Sequence, residues 1–402
     1  MQPLQCGLDR AATRHQHRGT MIRTSLAFAF AALTTTAIAG ENFLVYFGTS
    51  TNAKNGSKGV YVARFNTATG ELTEPQLAVE AGNPGFLAIH PSKKFLYACG
   101  DVTKADGKKA GGISAFGIEK GSGKLTLINQ AATAGAGPCH VSVDKTGKMA
   151  TIANYGSGSI GSFAIQEDGS VSPEVSFFQH EGSGADPKRQ AGPHAHSVNF
   201  SPDNRFAFAC DLGLDKVLIY KADPATGKLT PNDPPFAKTP AGGGPRHLAF
   251  HPSGKFLFVN NEMGMSETVF AYDADKGALT EVETVSTLPE ADRGKKGLST
   301  AESVAHPNGR VVYVSNRTHD TIAVFACDPA TGKLTLLENV PVEGKIPRNI
   351  CLDPTGKWLI AAHQDSATAA LFKVDQDSGK LTFTGTKVNV PGSICVRFLA
   401  LD

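Results

Sequence analysis

One phrase recurs along this chain. Gly-Lys-Leu-Thr, or a near copy, begins at Gly70, Gly123, Gly227, Gly277, Gly332 and Gly379, and a degenerate Gly169-Ser-Val-Ser fills the one wide gap. The mean step is about 51 residues, a spacing that marks one supersecondary unit repeated along the chain. A second phrase keeps step with it. It reads His-Pro-Ser-Lys-Lys-Phe-Leu-Tyr from His90 and His-Pro-Ser-Gly-Lys-Phe-Leu-Phe from His251. Variants start at Ser201, His306 and Asp353, with a weak copy at Asp144.

The unit itself reads as strands. In the stretch from Gly244, Gly-Pro-Arg-His-Leu-Ala-Phe-His alternates apolar and polar residues, the period of a strand. Pro252-Ser-Gly254 is turn chemistry, and Lys255–Asn260 is an apolar run suited to a strand buried on both faces. Thr268–Asp273 and Ala278–Val285 follow as third and fourth strands. No helical period occurs. Four short antiparallel strands repeated at this spacing predict a propeller blade. The fold class is therefore all-β.

The chain ends set the blade number. Asn42–Gly48 matches the second strand of a unit, and Pro391–Phe398 matches the first. One blade is thus split, with its inner strand supplied by the C-terminus. Six whole units and one split unit predict a seven-bladed propeller over residues 40–402, closed without a free sheet edge.

Residues 1–39 are read as separate from that domain. Met21-Ile-Arg23 is a short basic segment, Ser25–Thr36 is apolar to neutral, and Ala37-Ile-Ala39 is a small-x-small cleavage site. This is the pattern of a secretory signal peptide, too short for a membrane span. Residues 1–20 read as an upstream extension. An exported protein, periplasmic or extracellular, is expected. The full chain carries 39 basic and 37 acidic residues. Arg10, Arg14, Arg18, Arg23 and Asp9 lie in the leader, which leaves 35 against 36. A chain so balanced lacks the basic excess that nucleic-acid binding requires. Six of the seven cysteines lie in the mature part, each in or beside an apolar strand, and are read mainly as buried thiols.

Strand order places the chemistry. The first strand of a unit begins, and the second ends, at the same face of the ring. The residues at those points break the apolar pattern: His194, His196, Arg246, His247, Glu302 and Arg348 at the starts, and Asn154, Asp211, Asn261, Glu262, Asn316, Arg317, His363 and Gln364 at the ends. Polar groups of mixed charge converging on one mouth form the default ligand site. The His-Pro turns fall on the opposite face and are read as structural. Gly156-Ser-Gly-Ser-Ile-Gly161 mimics a dinucleotide fingerprint, but it lies between two strands with no helix after it, so that reading fails.

Gly-Pro-His-Ala-His196, Gly-Pro-Arg246-His, Asn-Asn-Glu262 and Val-Ser-Asn-Arg317 resemble the lactonase family of seven-bladed propellers. That family includes 6-phosphogluconolactonases and carboxy-muconate lactonizing enzymes. The resemblance spans the whole mature chain. It implies a catalytic set of His196, Arg246, Glu262 and Arg317, with His194 competing for the histidine role. It also implies a lactone hydrolase working as a monomer without cofactor or metal on a small lactone or carboxylate. His194, His247, Glu302, Asn316, Arg348 and Gln364 are expected to bind substrate. The residue types suit ring opening: His196 or Glu262 takes a proton from water, and an arginine meets the developing oxyanion or grips an acid group. A muconate-type lyase is the second enzyme reading, and a non-enzymatic binding scaffold is the third. Plain salt bridges, or a metal held by His194, His196 and Glu262, are the bland alternatives.

Overall fold

Buried, mainly apolar second strands and a C-terminal strand that completes the first sheet give the chain its ring. The computed structural model describes residues 42–51 and 56–401. The leader read at Met21–Ala39 and the extension before it lie outside them. Seven antiparallel sheets follow one another, each running from its innermost to its outermost strand. In the first, Ser393–Leu401 is innermost and pairs with Asn42–Thr49, which pairs with Gly59–Asn66. Its outermost strand is broken into Glu71–Leu72 and Gln76–Glu80, both paired to Gly59–Asn66. The split blade expected from the chain ends is therefore present, with the C-terminal strand innermost.

The remaining blades have four strands each. Their second strands are buried throughout where the sequence shows apolar runs, as in Phe206–Asp211, Phe256–Asn261 and Trp358–His363. Among the described residues, the one helix is a single 3-10 turn at Glu290–Asp292. No helix there is long and apolar enough to cross a membrane. The core is a series of layers between sheets. Where the ring closes, Phe43, Val45 and Phe47 pack with Trp358, Ile360 and Leu371, joining the first blade to the last. The six cysteines among the described residues are free thiols, four of them buried.

Both repeated phrases are ties between neighbouring blades. The glycine of the Gly-Lys-Leu-Thr phrase presses on the blade before it, at most sites on its second strand. A Cβ added at Gly277 would stand 2.4 Å from the Phe206 ring, and one at Gly332 2.6 Å from Phe256. In three blades a tyrosine of that strand also donates to the glycine carbonyl: Tyr46 to Gly123, Tyr97 to Gly169 and Tyr313 to Gly379, at 2.7–2.9 Å.

The His-Pro turns tie the opposite face. His251 Nδ1 accepts the Ser253 backbone N–H at 3.0 Å, so Nε2 carries the proton and donates to the Gly309 carbonyl of the next blade at 2.8 Å. His90 to Gly147 and His306 to Gly356 repeat the contact at 2.8 and 2.9 Å. Gly309 has φ +70°, and a Cβ there would lie 2.7 Å from His251 Nε2. Gly309→Ala should therefore strain the turn and break the tie, lowering stability by roughly 2–4 kcal/mol. A denaturation midpoint equal to wild type would show that these ties do not hold the ring.

Candidate active site

A bulge near the start of the inner strands builds the mouth. In the fifth blade Pro245 faces Asn261 and His247 faces Asn260, leaving Arg246 as the extra residue. The same slip leaves out Cys139 in the third blade, His196 in the fourth, Arg348 in the seventh and Ile394 in the first. A bulged residue is unpaired and its side chain is re-aimed. All five line one cavity of about 240 Å³, with Phe86, His247 and Asp101 among its other walls. The bulge is also why neighbours such as Arg246 and His247 both reach this cavity, where plain alternation would send them to opposite faces.

This geometry separates the two candidate histidines. His196 occupies the bulge and lines the cavity. His194 precedes the strand, stacks on Tyr155 at 4.6 Å and binds the Tyr155 carbonyl through Nδ1 at 3.0 Å, outside the cavity. Plain alternation along a strand would point residues two apart the same way, and the bulge is what separates these two. Among the described residues, no group of three or more His, Cys, Asp or Glu side chains is arranged to hold a metal ion.

Arg246, Glu262 and Arg317 meet directly. Glu262 Oε2 accepts from Arg246 Nε at 3.1 Å and from Arg317 Nη2 at 2.8 Å, while Oε1 accepts from Arg189 Nη2 at 3.0 Å. Burial pushes the Glu262 carboxyl up, but Arg317, Arg246 and Arg189 outweigh it and hold it down at about 2. A carboxylate so stabilised is a poor proton acceptor at neutral pH, and its geometry is that of an anchor for arginines. Burial and the cations Arg317 and Arg348 lower Arg246 to about 9, which leaves it charged at neutral pH. Its Nη1 donates to the Ala301 carbonyl and to His247 Nε2.

His196 sits beside this cluster, its ring 5.2 Å from that of His247. Burial first, then Arg246, His247, Arg348 and Arg317, drives its pKa well below the usual value. The imidazole is therefore neutral. Its Nδ1 lies 3.9 Å from the Cys139 sulfur. Arg348 donates to Gln364 at 3.2 Å and forms no ion pair among the described residues. The mouth thus gathers four arginines against two carboxylates, Glu262 and Asp101, and the balance favours an anion.

Other expected binders stand elsewhere. Asn316 is fully buried and spends its amide on the Thr287 carbonyl at 3.1 Å, because its strand position points it between blades. Gln364 reaches the mouth only through Arg348. Glu302 pairs with His247 rather than with Arg317, and lines a second cavity of about 420 Å³ at the other end of the central channel. Phe86 and His247 border both cavities. Phe86, His140 and His247 form the septum, with ring centroids 4.2–5.3 Å apart and the Arg397 guanidinium over the Phe86 face. Cys139 and Arg189 were not among the expected residues. Gly137-Pro-Cys139-His repeats the Gly244-Pro-Arg246-His pattern and points to the first. Arg189 lies on the long connection after Ser176–Gln179, outside the repeat, and only the fold brings it to Glu262.

Fold and site together define a propeller enzyme with a cationic mouth and a neutral imidazole at its wall. A generic scaffold would scatter such residues around the ring, and here they touch. The family described as "Lactonase, 7-bladed beta-propeller" matches residues 44–398. The 6-phosphogluconolactonase of Bacillus subtilis is 39% identical over 358 residues, covering 89% of this chain and 98% of that protein. The 6-phosphogluconolactonase of Formosa agariphila is 33% identical, covering 87% of this chain and 97% of that protein. The solved periplasmic gluconolactonase of Pseudomonas aeruginosa superposes with a TM-score of 0.82 at 32% identity, covering 90% of this chain and all of that one. The chain belongs to the lactonase family of seven-bladed β-propellers. Its activity is that of a carboxylic-ester hydrolase acting on a lactone ring.

Proposed function

We propose that this chain opens an aldonic sugar lactone of the gluconolactone type to its acid, and that it does so outside the cytoplasm. The observation that carries the reading is the shared cavity of His196, Arg246 and Arg348, two cations and a neutral base on three different blades. Ring opening begins when water adds to the lactone carbonyl. A neutral His196 takes the proton from that water. The two arginines then face the tetrahedral oxyanion, a charge that exists only after attack. Collapse breaks the ring C–O bond, and the proton held on His196 passes to the leaving alkoxide. The carboxylic acid so formed releases its remaining proton to solvent, and the resulting carboxylate carries the charge that Arg348 is free to meet. Cationic neighbours weaken His196 as a base, and an anion bound against the same arginines offsets that effect.

Two features favour an unphosphorylated substrate. The expected leader at Met21–Ala39 sends the chain away from the cytoplasm, where sugar phosphates are made. The solved relative from Pseudomonas aeruginosa is itself named a periplasmic gluconolactonase. The two relatives named 6-phosphogluconolactonase make the 6-phospho lactone the comparison substrate. Protein recovered from the medium or periplasm of an expressing bacterium should begin at Gly40 and release acid from gluconolactone in a pH-stat, above the spontaneous rate. Retention in the cytoplasm with Met21 intact would sink the export reading. Acid release only from the 6-phospho lactone would reverse the substrate choice, and none from either would defeat the proposal.

A further inference from the structure

Glu302 stands in a hydrogen-bond chain that the roles above leave unused. Its Oε1 accepts from His247 Nδ1 at 3.0 Å and from the Ser303 backbone N–H at 3.2 Å. Its Oε2 accepts from the side-chain amide of Asn349. The Asn349 oxygen in turn accepts the Val396 N–H at 2.9 Å. At the opposite end, His247 Nε2 lies 3.2 Å from Arg246 Nη1. All four side chains are buried or nearly so, and they come from three successive blades, tied to the C-terminal strand of the first.

The polarity of this chain is forced from both ends. A guanidinium only donates, so His247 Nε2 must accept and Nδ1 must carry the proton. A backbone N–H only donates, so the Asn349 oxygen faces Val396 and its NH2 group faces Glu302. Three donors therefore converge on one side chain. A carboxylate, which only accepts, satisfies all of them. A glutamine of the same shape does not. Its NH2 group meets either the fixed Asn349 donor or the fixed Ser303 donor. A tautomer switch in His247 gives no escape, because it would set Nε2–H against Arg246.

We infer that Glu302 is a positioning residue: acting through His247, it holds Arg246 so that the guanidinium Nη2, which has no protein partner among the described residues, is presented to the oxyanion. Glu262 fixes Arg246 at Nε, and the His247 and Ala301 contacts fix it at Nη1, so the three together set the plane of the guanidinium. The inference rests on the lactonase reading of the mouth.

Two measurements test it. In the 15N-histidine NMR spectrum of the wild-type protein, His247 should be the neutral Nδ1–H tautomer between pH 6 and 8. In steady-state lactone hydrolysis, Glu302→Gln should lower kcat by about 10²-fold with KM changed by less than about threefold, because an oxyanion donor is misaimed and ground-state binding is not. A wild-type Nε2–H tautomer overturns the inference. So does a folded Glu302→Gln enzyme with wild-type kcat, or one whose KM alone rises, which would make Glu302 a binding group. The wild-type tautomer needs no variant, so it decides the matter even where Glu302→Gln fails to fold. A wild-type protein with no lactone hydrolysis would defeat the functional reading, while the tautomer would still report on the chain itself.

Discussion

Arg246→Ala should abolish most of the turnover while leaving the propeller standing. The expected fall in kcat is about 10²–10³-fold, roughly 3–4 kcal/mol of transition-state stabilisation. Arg246 occupies an inner-strand bulge and lines the cavity, and three fixed partners aim it. The ring survives because the bulged residue bears none of the blade's ladder pairing, and Glu262 keeps Arg317 and Arg189 as partners. Arg246→Lys should recover little, because an ammonium cannot hold the same planar set of contacts. The check is kcat and KM beside a thermal midpoint. Turnover within about threefold of wild type in a folded Arg246→Ala protein would remove Arg246 from the chemistry.

Glu262→Gln should act on stability as well as rate. One carboxylate neutralises a contact shared by three guanidinium groups, two of them nearly inaccessible to water. Removing its charge leaves those cations facing one another without compensation, a change of about 3–5 kcal/mol. That is a large part of the net stability of an ordinary domain, about 5–15 kcal/mol. The loss should depend on pH in one direction. The folded pKa of Glu262 is depressed to about 2. Its contribution is therefore fully present above the ordinary glutamate range and lost as pH falls toward 2. From a shift of this size the acid-sensitive part is about 3 kcal/mol. Unfolding free energies between pH 7 and pH 2 should fall for the wild type and lack this component in Glu262→Gln. Parallel profiles for the two proteins would show that the three ion pairs contribute nothing in solution.

Much of the site was legible in the chain because the propeller is a repeat. A repeated unit makes departures visible: Glu262 and Arg317 are departures at equivalent points of successive blades, and Arg246 is one at the inner-strand start of the blade that carries Glu262. Strand order alone put those points on one face. What could not be read was the bulge. Sequence spacing carries an alternation of faces, and one inserted residue resets it. That is why His194 and His196 looked equivalent before folding. Asn316 was placed at the mouth for another reason: a strand end was counted without the direction of its side chain, which lies between blades. Arg189 escaped for a different reason. It stands on an irregular connection, and no period constrains where such a segment goes.

By itself the sequence determined the number of blades, the split blade that closes the ring, and the face on which the polar groups gather. Those follow from local rules: strand periodicity, turn residues, and glycines where a neighbouring blade leaves no room for a Cβ. Only the tertiary structure decided which of these groups touch. The Glu262 arginine cluster and the Glu302–His247–Arg246 chain join side chains that are distant in sequence, some on different blades. Their partners and protonation are set by burial and by which donor faces which acceptor, quantities that exist only once the ring is closed.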